Sequence, residues 1–258
     1  MAPPPSTTRL FVSLAGLAVL ATACSTQSDG GRGERRTSSA TTEAASPADR
    51  QDGEKRGKKG DPAAGRDLLH AAEQGDADAV RKAIGQGADL ETRDDRRRTP
   101  LLLAVTGDHV ETAEALVAAG ADPDGKDSRQ DTPWLVTGVT GNAAMARTLA
   151  KADPDYGLVN RYGGTSLIPA GERGHVDYIR EVTTNPDMDV DVDHVNNLGW
   201  TALLEAVILG DGGKDHQESV RLLLEAGADA SIGDGSGATA LDHAEDRGFD
   251  EIARILRK

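Results

Sequence analysis

The chain has 258 residues, of which 3% are aromatic, and its formal net charge is −14. The surplus of acid argues against nucleic-acid binding, because contacts to phosphates depend on surplus lysine and arginine. The single cysteine, Cys24, excludes an internal disulfide bond and a zinc site built from several cysteines.

The first 24 residues have the pattern of an export signal. Arg9 precedes an apolar stretch at residues 10–23 that ends in small residues and is too short to span a bilayer, which takes about 20 residues. The segment LATAC, residues 20–24, resembles the lipobox of bacterial lipoproteins. That resemblance implies cleavage before Cys24 and a lipid on its thiol, whereas plain secretion with a free Cys24 and an uncleaved start are the alternatives.

The residues after Cys24 predict a flexible tether. They are rich in Gly, Ser, Thr, Ala and mixed charge, with almost no large apolar side chain. A flexible coil of this length would reach roughly 35 Å. We therefore expect a signal peptide at residues 1–23, the lipidated cysteine and tether at residues 24–62, and a folded domain at residues 63–258.

Threonines recur through the rest of the chain at intervals of 33, 33, 36 and 38 residues. Four of them have a leucine two residues on, the fifth has Trp134 there, and four have an alanine five residues on. This period is typical of stacked helical repeats, which bury small apolar residues between neighbouring units. We expect Trp134 to pack in the core. The threonines are Thr99, Thr132, Thr165, Thr201 and Thr239.

The second unit, TPLLLAVTGDHVETAEALVAAGADP, predicts two short helices. Thr99 can cap the first helix, and Pro100 suits its first position. The motif Gly-Ala-Asp closes this unit and two others. The pattern resembles the ankyrin repeat over about residues 66–258, and the resemblance implies an all-α ankyrin-repeat solenoid of helix-turn-helix units with hairpin fingers. We count six units, which start near residues 66, 99, 132, 165, 201 and 239.

The third and fourth units depart from the common pattern. Thr137-Gly138 replaces the usual Ala-Ala, and the pattern places Pro169 and Gly171 inside a helix, where each lowers helix stability. We therefore expect residues 132–185 to be the least stable part of the array. The two longer intervals predict insertions at residues 185–197 and 210–214.

Three histidines occupy one repeat position, just before the second helix of a unit: His109, His175 and His216. Their shared register predicts a structural role. The sequence contains none of the common nucleophile, metalloprotease or phosphate-binding motifs. We therefore expect no enzymatic activity and no cofactor.

The acidic run at residues 187–193 contains the only candidate metal ligands, and the prediction of a metal site there is weak. If the run is extended, its four carboxylates share one face. Calcium prefers such oxygen ligands, but the glycine and closing glutamate of an EF-hand loop are missing. The alternative is a solvated loop held by its apolar residues. The four carboxylates are those of Asp187, Asp189, Asp191 and Asp193.

The family resemblance implies that the fingers and first helices line a concave binding face. Arg96 and Arg129 lie 33 residues apart, and Arg161 is next to the following in-phase position. We expect these three to form a basic column, with ordinary solvated fingertip charges as the alternative. The candidate partner-binding residues are Arg96, Arg97, Arg129, Arg161, Tyr162, Leu198 and Trp200.

The sequence favours an exported, membrane-tethered module for protein–protein interaction, acting as a scaffold, stabiliser or inhibitor of an extracytoplasmic partner. We expect a monomer that contacts the membrane through its lipid anchor. A structural envelope protein that contacts anionic cell-wall or membrane polymers is the alternative function.

Overall fold

The computed structural model describes residues 60–258. The predicted signal peptide, Cys24 and nearly all of the predicted tether lie outside the described residues. Within residues 60–258 the regular structure is helical, with one isolated bridge between Gly233 and Thr239. None of the helices in this part of the chain has the length and apolar character needed to cross a membrane.

Twelve helices lie in the described region, and they form six antiparallel pairs as the repeat count predicts. First helices stack on first helices, and second helices stack on second helices. The predicted all-α solenoid is confirmed. The helices are α1 (Pro62–Gln74), α2 (Ala77–Gly85), α3 (Pro100–Thr106), α4 (Val110–Ala118), α5 (Pro133–Thr140), α6 (Ala143–Ala150), α7 (Leu167–Arg173), α8 (Val176–Thr184), α9 (Ala202–Ile208), α10 (Lys214–Glu225), α11 (Ala240–Asp246) and α12 (Asp250–Leu256).

The recurring threonines begin the first helices. The hydroxyls of Thr99, Thr132 and Thr201 each accept a hydrogen bond of 3.2 Å from the backbone N–H three residues on. Such caps satisfy a helix N–H group that would otherwise lack a partner. Thr165 is the exception among the described residues, because its hydroxyl is buried without a partner and α7 begins two residues later.

The late start of α7 corrects one expectation from the sequence. Pro169 is the third residue of α7, not an interior residue. The first N–H groups of a helix have no intrahelical acceptor, so a proline there removes no hydrogen bond. The expected helix penalty at Pro169 was wrong, and the relative stability of residues 132–185 stays a prediction.

The two glycines of the irregular units allow close helix packing. A Cβ atom on Gly138 in α5 would overlap the backbone carbonyl oxygen of Ser166, and one on Gly171 in α7 would overlap that of Ala202. The hydroxyl of Thr137 meets the hydroxyl of the fully buried Tyr178 at 2.8 Å. Thr137, Gly138 and Gly171 replace the usual alanines, and each therefore allows a contact between neighbouring units that alanine would not allow.

The core contains the residues that the repeat pattern predicts. The alanines five residues after the threonines are fully buried in four units, and Trp134 is fully buried as well. The Trp134 ring meets the Tyr156 ring edge to face, with 4.8 Å between the ring centroids. The packing role predicted for Trp134 is confirmed.

The three in-register histidines each contact the preceding unit. The Nε2 atoms of His109, His175 and His216 lie 3.2, 3.2 and 2.9 Å from carbonyl oxygens near the ends of α1, α5 and α7. The last four carbonyl groups of a helix have no N–H donor within the helix, and these three carbonyls lie at such ends. The rings thus tie each second helix to the unit before it, as a structural role predicts.

The acidic run forms a loop with two faces. Met188 is buried, Val190 and Val192 are half-buried, and three of the carboxylates face solvent. The fourth, Asp193, accepts a hydrogen bond of 2.8 Å from the backbone N–H of Asp229 in the next unit. No three His, Cys, Asp or Glu side chains within residues 60–258 are grouped as a metal site would require. The burial of the apolar residues matches a loop that they hold in place, and the metal assignment itself stays untested.

Candidate functional site

Each finger is held by an Asp or Asn at its base, and the fingers are residues 93–98, 126–131, 160–164, 196–200 and 233–238. The carboxylate or amide oxygen of this residue accepts hydrogen bonds from the N–H groups two and four residues on, at 2.7 to 3.2 Å. These bonds satisfy the turn locally and fix the finger backbone. The five base residues are Asp94, Asp127, Asn160, Asn196 and Asp234.

Neighbouring fingers are also joined to one another. The N–H of Ser128 donates to the carbonyl of Arg96 at 2.9 Å, and the N–H of Asn197 donates to the carbonyl of Tyr162 at 3.0 Å. These bonds link the first finger to the second and the third to the fourth, and an ion pair between Arg161 and Asp131 spans the second and third. The first four fingers therefore form a wall along one side of the stack.

This wall and the first helices enclose a groove of about 710 Å³. Its floor comes from α3, α5, α7 and α9, and its wall comes from the fingers between residues 96 and 198. Apolar side chains from both sources line it. They are Leu102, Leu135, Val136, Val139, Tyr162, Ile168, Leu198 and Leu209.

Exposed apolar side chains are concentrated in this groove. Five large apolar residues are exposed within residues 60–258, and four of them line the groove: Val139 at 39%, Tyr162 at 59%, Leu198 at 62% and Leu209 at 49%. The fifth, Val195, lies outside the lining. Apolar residues gathered on one concave surface are typical of a binding site.

The three arginines of the predicted column all line the groove. Two of them share a carboxylate, because the guanidinium groups of Arg129 and Arg161 lie 3.4 and 3.7 Å from Asp131. Arg161 also stacks on the Tyr162 ring, at 4.3 Å from the ring centroid. Arg96 forms no ion pair with any residue in the described part of the chain. All three therefore lie on the groove, Asp131 offsets part of the charge of two of them, and their role as a basic binding column stays a prediction.

Two other candidates from the sequence lie away from this lining. Arg97 is exposed but is not part of the groove, and its φ of 63° places it in the left-handed region at a fingertip. Trp200 is half-buried and packs against the hydrophobic core. Neither side chain contributes to the groove surface.

The groove also contains acidic residues that the sequence did not single out. Glu205 in α9 is only 5% exposed, and its Oε1 accepts a hydrogen bond of 2.8 Å from Asn196 Nδ2. Burial, together with the negative charge of Glu172 in α7, raises the pKa of Glu205 to about 7. The repeat register could have drawn attention to Glu205. It lies four residues after its threonine, a position that a second titratable residue, His243, occupies in the last unit.

Comparison with known proteins agrees with this architecture. A family model described as ankyrin repeats (3 copies) matches residues 68–159 and again residues 136–234. The chain belongs to the ankyrin-repeat family. This ankyrin-repeat chain is 38% identical over 190 residues to YahD of Escherichia coli (strain K12), itself named as an ankyrin repeat protein, covering 74% of this chain and 94% of YahD.

Two solved ankyrin-repeat structures are also similar. The domain ABAYE2397 from Acinetobacter baumannii AYE is 42% identical with a TM-score of 0.69, and the match covers 74% of this chain and 95% of that domain. The ankyrin repeat protein EF0377 is 40% identical with a TM-score of 0.71, over 75% of this chain and 98% of EF0377. Ankyrin repeats are in general protein-binding modules without enzymatic activity, so the family implies protein partners for this chain.

Proposed function

We propose that this ankyrin-repeat protein holds a segment of a partner protein in the groove between its fingers and first helices. The observation that carries the proposal is that four of the five exposed large apolar side chains in residues 60–258 line this groove. Partner binding would remove them from water, at roughly 25 cal/mol for each Å² of apolar surface. The groove is built from helices and hydrogen-bonded fingers, so little ordering is needed on binding.

Site-specific photocrosslinking tests this proposal. A photoreactive phenylalanine analogue replaces Tyr162 or Leu198 in the groove, or Val195 as a control that is exposed and apolar but outside the lining. We expect both groove positions to capture one and the same partner in the native cells, with Val195 capturing little of it. Capture that is equal at all three positions would rule out the groove as the binding site.

The same contact should depend on the apolar side chains. The double variant Tyr162→Ala/Leu198→Ala is expected to bind the captured partner at least about tenfold more weakly, as is typical when central aromatic and apolar contacts are removed. The matched single variant Val195→Ala should bind as the unaltered chain does. Calorimetric titration with the purified partner measures the difference.

We further propose that the protein acts outside the cytoplasm and is anchored by a lipid on Cys24. The support comes from the sequence alone, namely the apolar stretch before Cys24 and the polar tether after it. Mass spectrometry of the mature N-terminus is expected to show cleavage before Cys24 and the added mass of acyl chains. A Cys24→Ser variant should leave the membrane fraction, and a mature chain with an unmodified thiol would contradict the anchor.

The alternative, a structural protein that contacts anionic envelope polymers, has less support. Polyanion binding relies on several unpaired cations acting together. Asp131 offsets the charge of Arg129 and Arg161, and the groove also contains Glu172 and Glu205. The groove therefore presents mixed charge and apolar surface, which favours a protein segment.

A further inference from the structure

One end of the groove contains two carboxylates, and neither forms an ion pair within residues 60–258, although the exposed Arg173 follows Glu172 in the same lining. Glu205 lies on the floor in α9, and Glu172 lies beside it on α7, half-buried. α7 packs closely on α9, since a Cβ atom on Gly171 would overlap the backbone carbonyl oxygen of Ala202, and the charge of Glu172 contributes to the raised pKa of Glu205. Asn196 donates to one oxygen of Glu205, whereas the second oxygen has no hydrogen-bond partner among residues 60–258. This buried carboxylate thus has unused acceptor capacity on a groove surface.

Three of the five arginines that line the groove pair with other groups, whereas Arg96 and Arg173 form no ion pair within residues 60–258. Arg129 and Arg161 contact Asp131, and Arg98 contacts Asp94 at 2.7 Å. Within the described residues, no lysine, arginine or histidine forms an ion pair with Glu172 or Glu205. A carboxylate that is removed from water without a cation is strongly destabilising. An apolar segment laid over this end of the groove would bury both carboxylates further.

We propose that Glu172 and Glu205 form a subsite for one arginine or lysine side chain of the partner segment. The proposal rests on the proposed function of the groove. A partner cation would donate to the free oxygen of Glu205 and offset both charges in a poorly hydrated place. Leu198 and Leu209 are exposed and line the same groove, so they provide apolar surface for the methylene groups of such a side chain.

The subsite also predicts what the groove rejects. A partner segment with an acidic residue at this position would place a third negative charge beside two others, and an apolar residue would leave the free oxygen of Glu205 without a donor. Both are unfavourable in a desolvated site. Selectivity at this position should therefore be stronger than at the apolar positions of the same segment.

A two-step peptide experiment tests the subsite. Peptides are first selected from a random phage-displayed library on the immobilised full chain, and those that no longer bind Tyr162→Ala/Leu198→Ala are kept as groove ligands. We expect these peptides to share an arginine or lysine at one position. The peptide is then synthesised with citrulline, a neutral analogue of arginine, at that position. Its affinity for the unaltered chain should fall about 30-fold, as for the loss of a buried charge pair.

The double variant Glu172→Gln/Glu205→Gln separates a direct contact from a general loss of binding. Glutamine keeps the oxygen that accepts from Asn196, so the fold should be retained. In this variant the arginine and citrulline peptides should differ by less than about twofold, because the charge pair is gone. The single variant Glu172→Gln, at a half-buried position, gives a second measurement if the double variant folds poorly. Glu114→Gln/Glu225→Gln, at two exposed positions, is the matched control and should keep the full difference.

The outcomes distinguish the subsite from the groove itself. Groove-dependent peptides without a shared basic residue, or a citrulline effect that persists in Glu172→Gln/Glu205→Gln, would overturn the cation subsite and leave the groove function standing. Failure to select any peptide that depends on Tyr162 and Leu198 would overturn the groove function, and the subsite with it.

Discussion

Replacing Gly138 with alanine is expected to destabilise the domain by about 3 kcal/mol or more. The added Cβ atom would overlap the backbone carbonyl oxygen of Ser166. A backbone carbonyl cannot rotate away as a side chain can, so α5 and α7 would have to move apart. Forced shifts of this kind in a packed core cost about 1 to 3 kcal/mol, and more where the backbone is involved. Urea unfolding followed by circular dichroism measures the change.

Gly85→Ala is the matched control for Gly138→Ala. Gly85 also lies in a helix, but a Cβ atom there would have no heavy atom within 4 Å. Alanine favours the helix over glycine by up to about 1 kcal/mol, so this variant should be slightly more stable than the unaltered chain. If both variants had the same stability, the close approach of α5 to α7 would be contradicted.

The repeat pattern predicts the helix pairs well because its recurring residues are those that cap helices or are buried between units. A threonine that caps a helix and an alanine that packs against the next unit recur with the period of the stack, so residues such as Thr132 and Ala104 mark the units directly. Gly138 carries no such signal. The sequence shows only that position 138 has no side chain. Whether this glycine merely weakens α5 or leaves room for the carbonyl of Ser166 depends on the distance between α5 and α7, which the sequence does not give.

The candidate site could be predicted in part for the same reason. Arg96, Arg129, Arg161, Tyr162 and Leu198 follow from the finger register, and all five line the groove. Val139, Leu209 and Glu205 did not stand out, because they lie on first helices or directly after one, among residues that are mostly buried. Their exposure to the groove depends on how the units curve and tilt, which a repeat period does not encode.

Glu205 shows how far local chemistry depends on this packing. A glutamate in a sequence is by default a solvated surface residue. Here α9 turns it toward the floor of the groove, Asn196 fixes one of its oxygens, and Glu172 comes near from the neighbouring unit. The three residues lie within a stretch of 34 positions in three separate elements, so only the stacking of units brings them together.

Replacing Glu205 with glutamine is expected to stabilise the domain at pH 8 by about 2 kcal/mol and to have little effect at pH 4. The pKa of Glu205 rises from its reference value of 4.5 to about 7 in the folded chain, first because of burial and second because of Glu172. Each pKa unit corresponds to about 1.4 kcal/mol, and water in the groove screens part of the effect. Urea unfolding at a series of pH values measures the difference.

The sign of this prediction follows from proton binding. Between pH 4.5 and about 7 the folded chain keeps a proton on Glu205 that the unfolded chain has lost, so this residue makes stability fall as the pH rises. Glutamine is neutral at every pH and removes the fall. Carboxylates that do not interact with Glu205 contribute equally to both proteins, so the difference between the two curves isolates Glu205 together with its repulsion from Glu172. The matched variant Glu114→Gln, at an exposed site, should follow the unaltered chain within about 0.5 kcal/mol. Parallel curves for the unaltered chain and Glu205→Gln would mean that Glu205 is solvated, and the floor of the groove would then lack the buried charge that a partner cation requires.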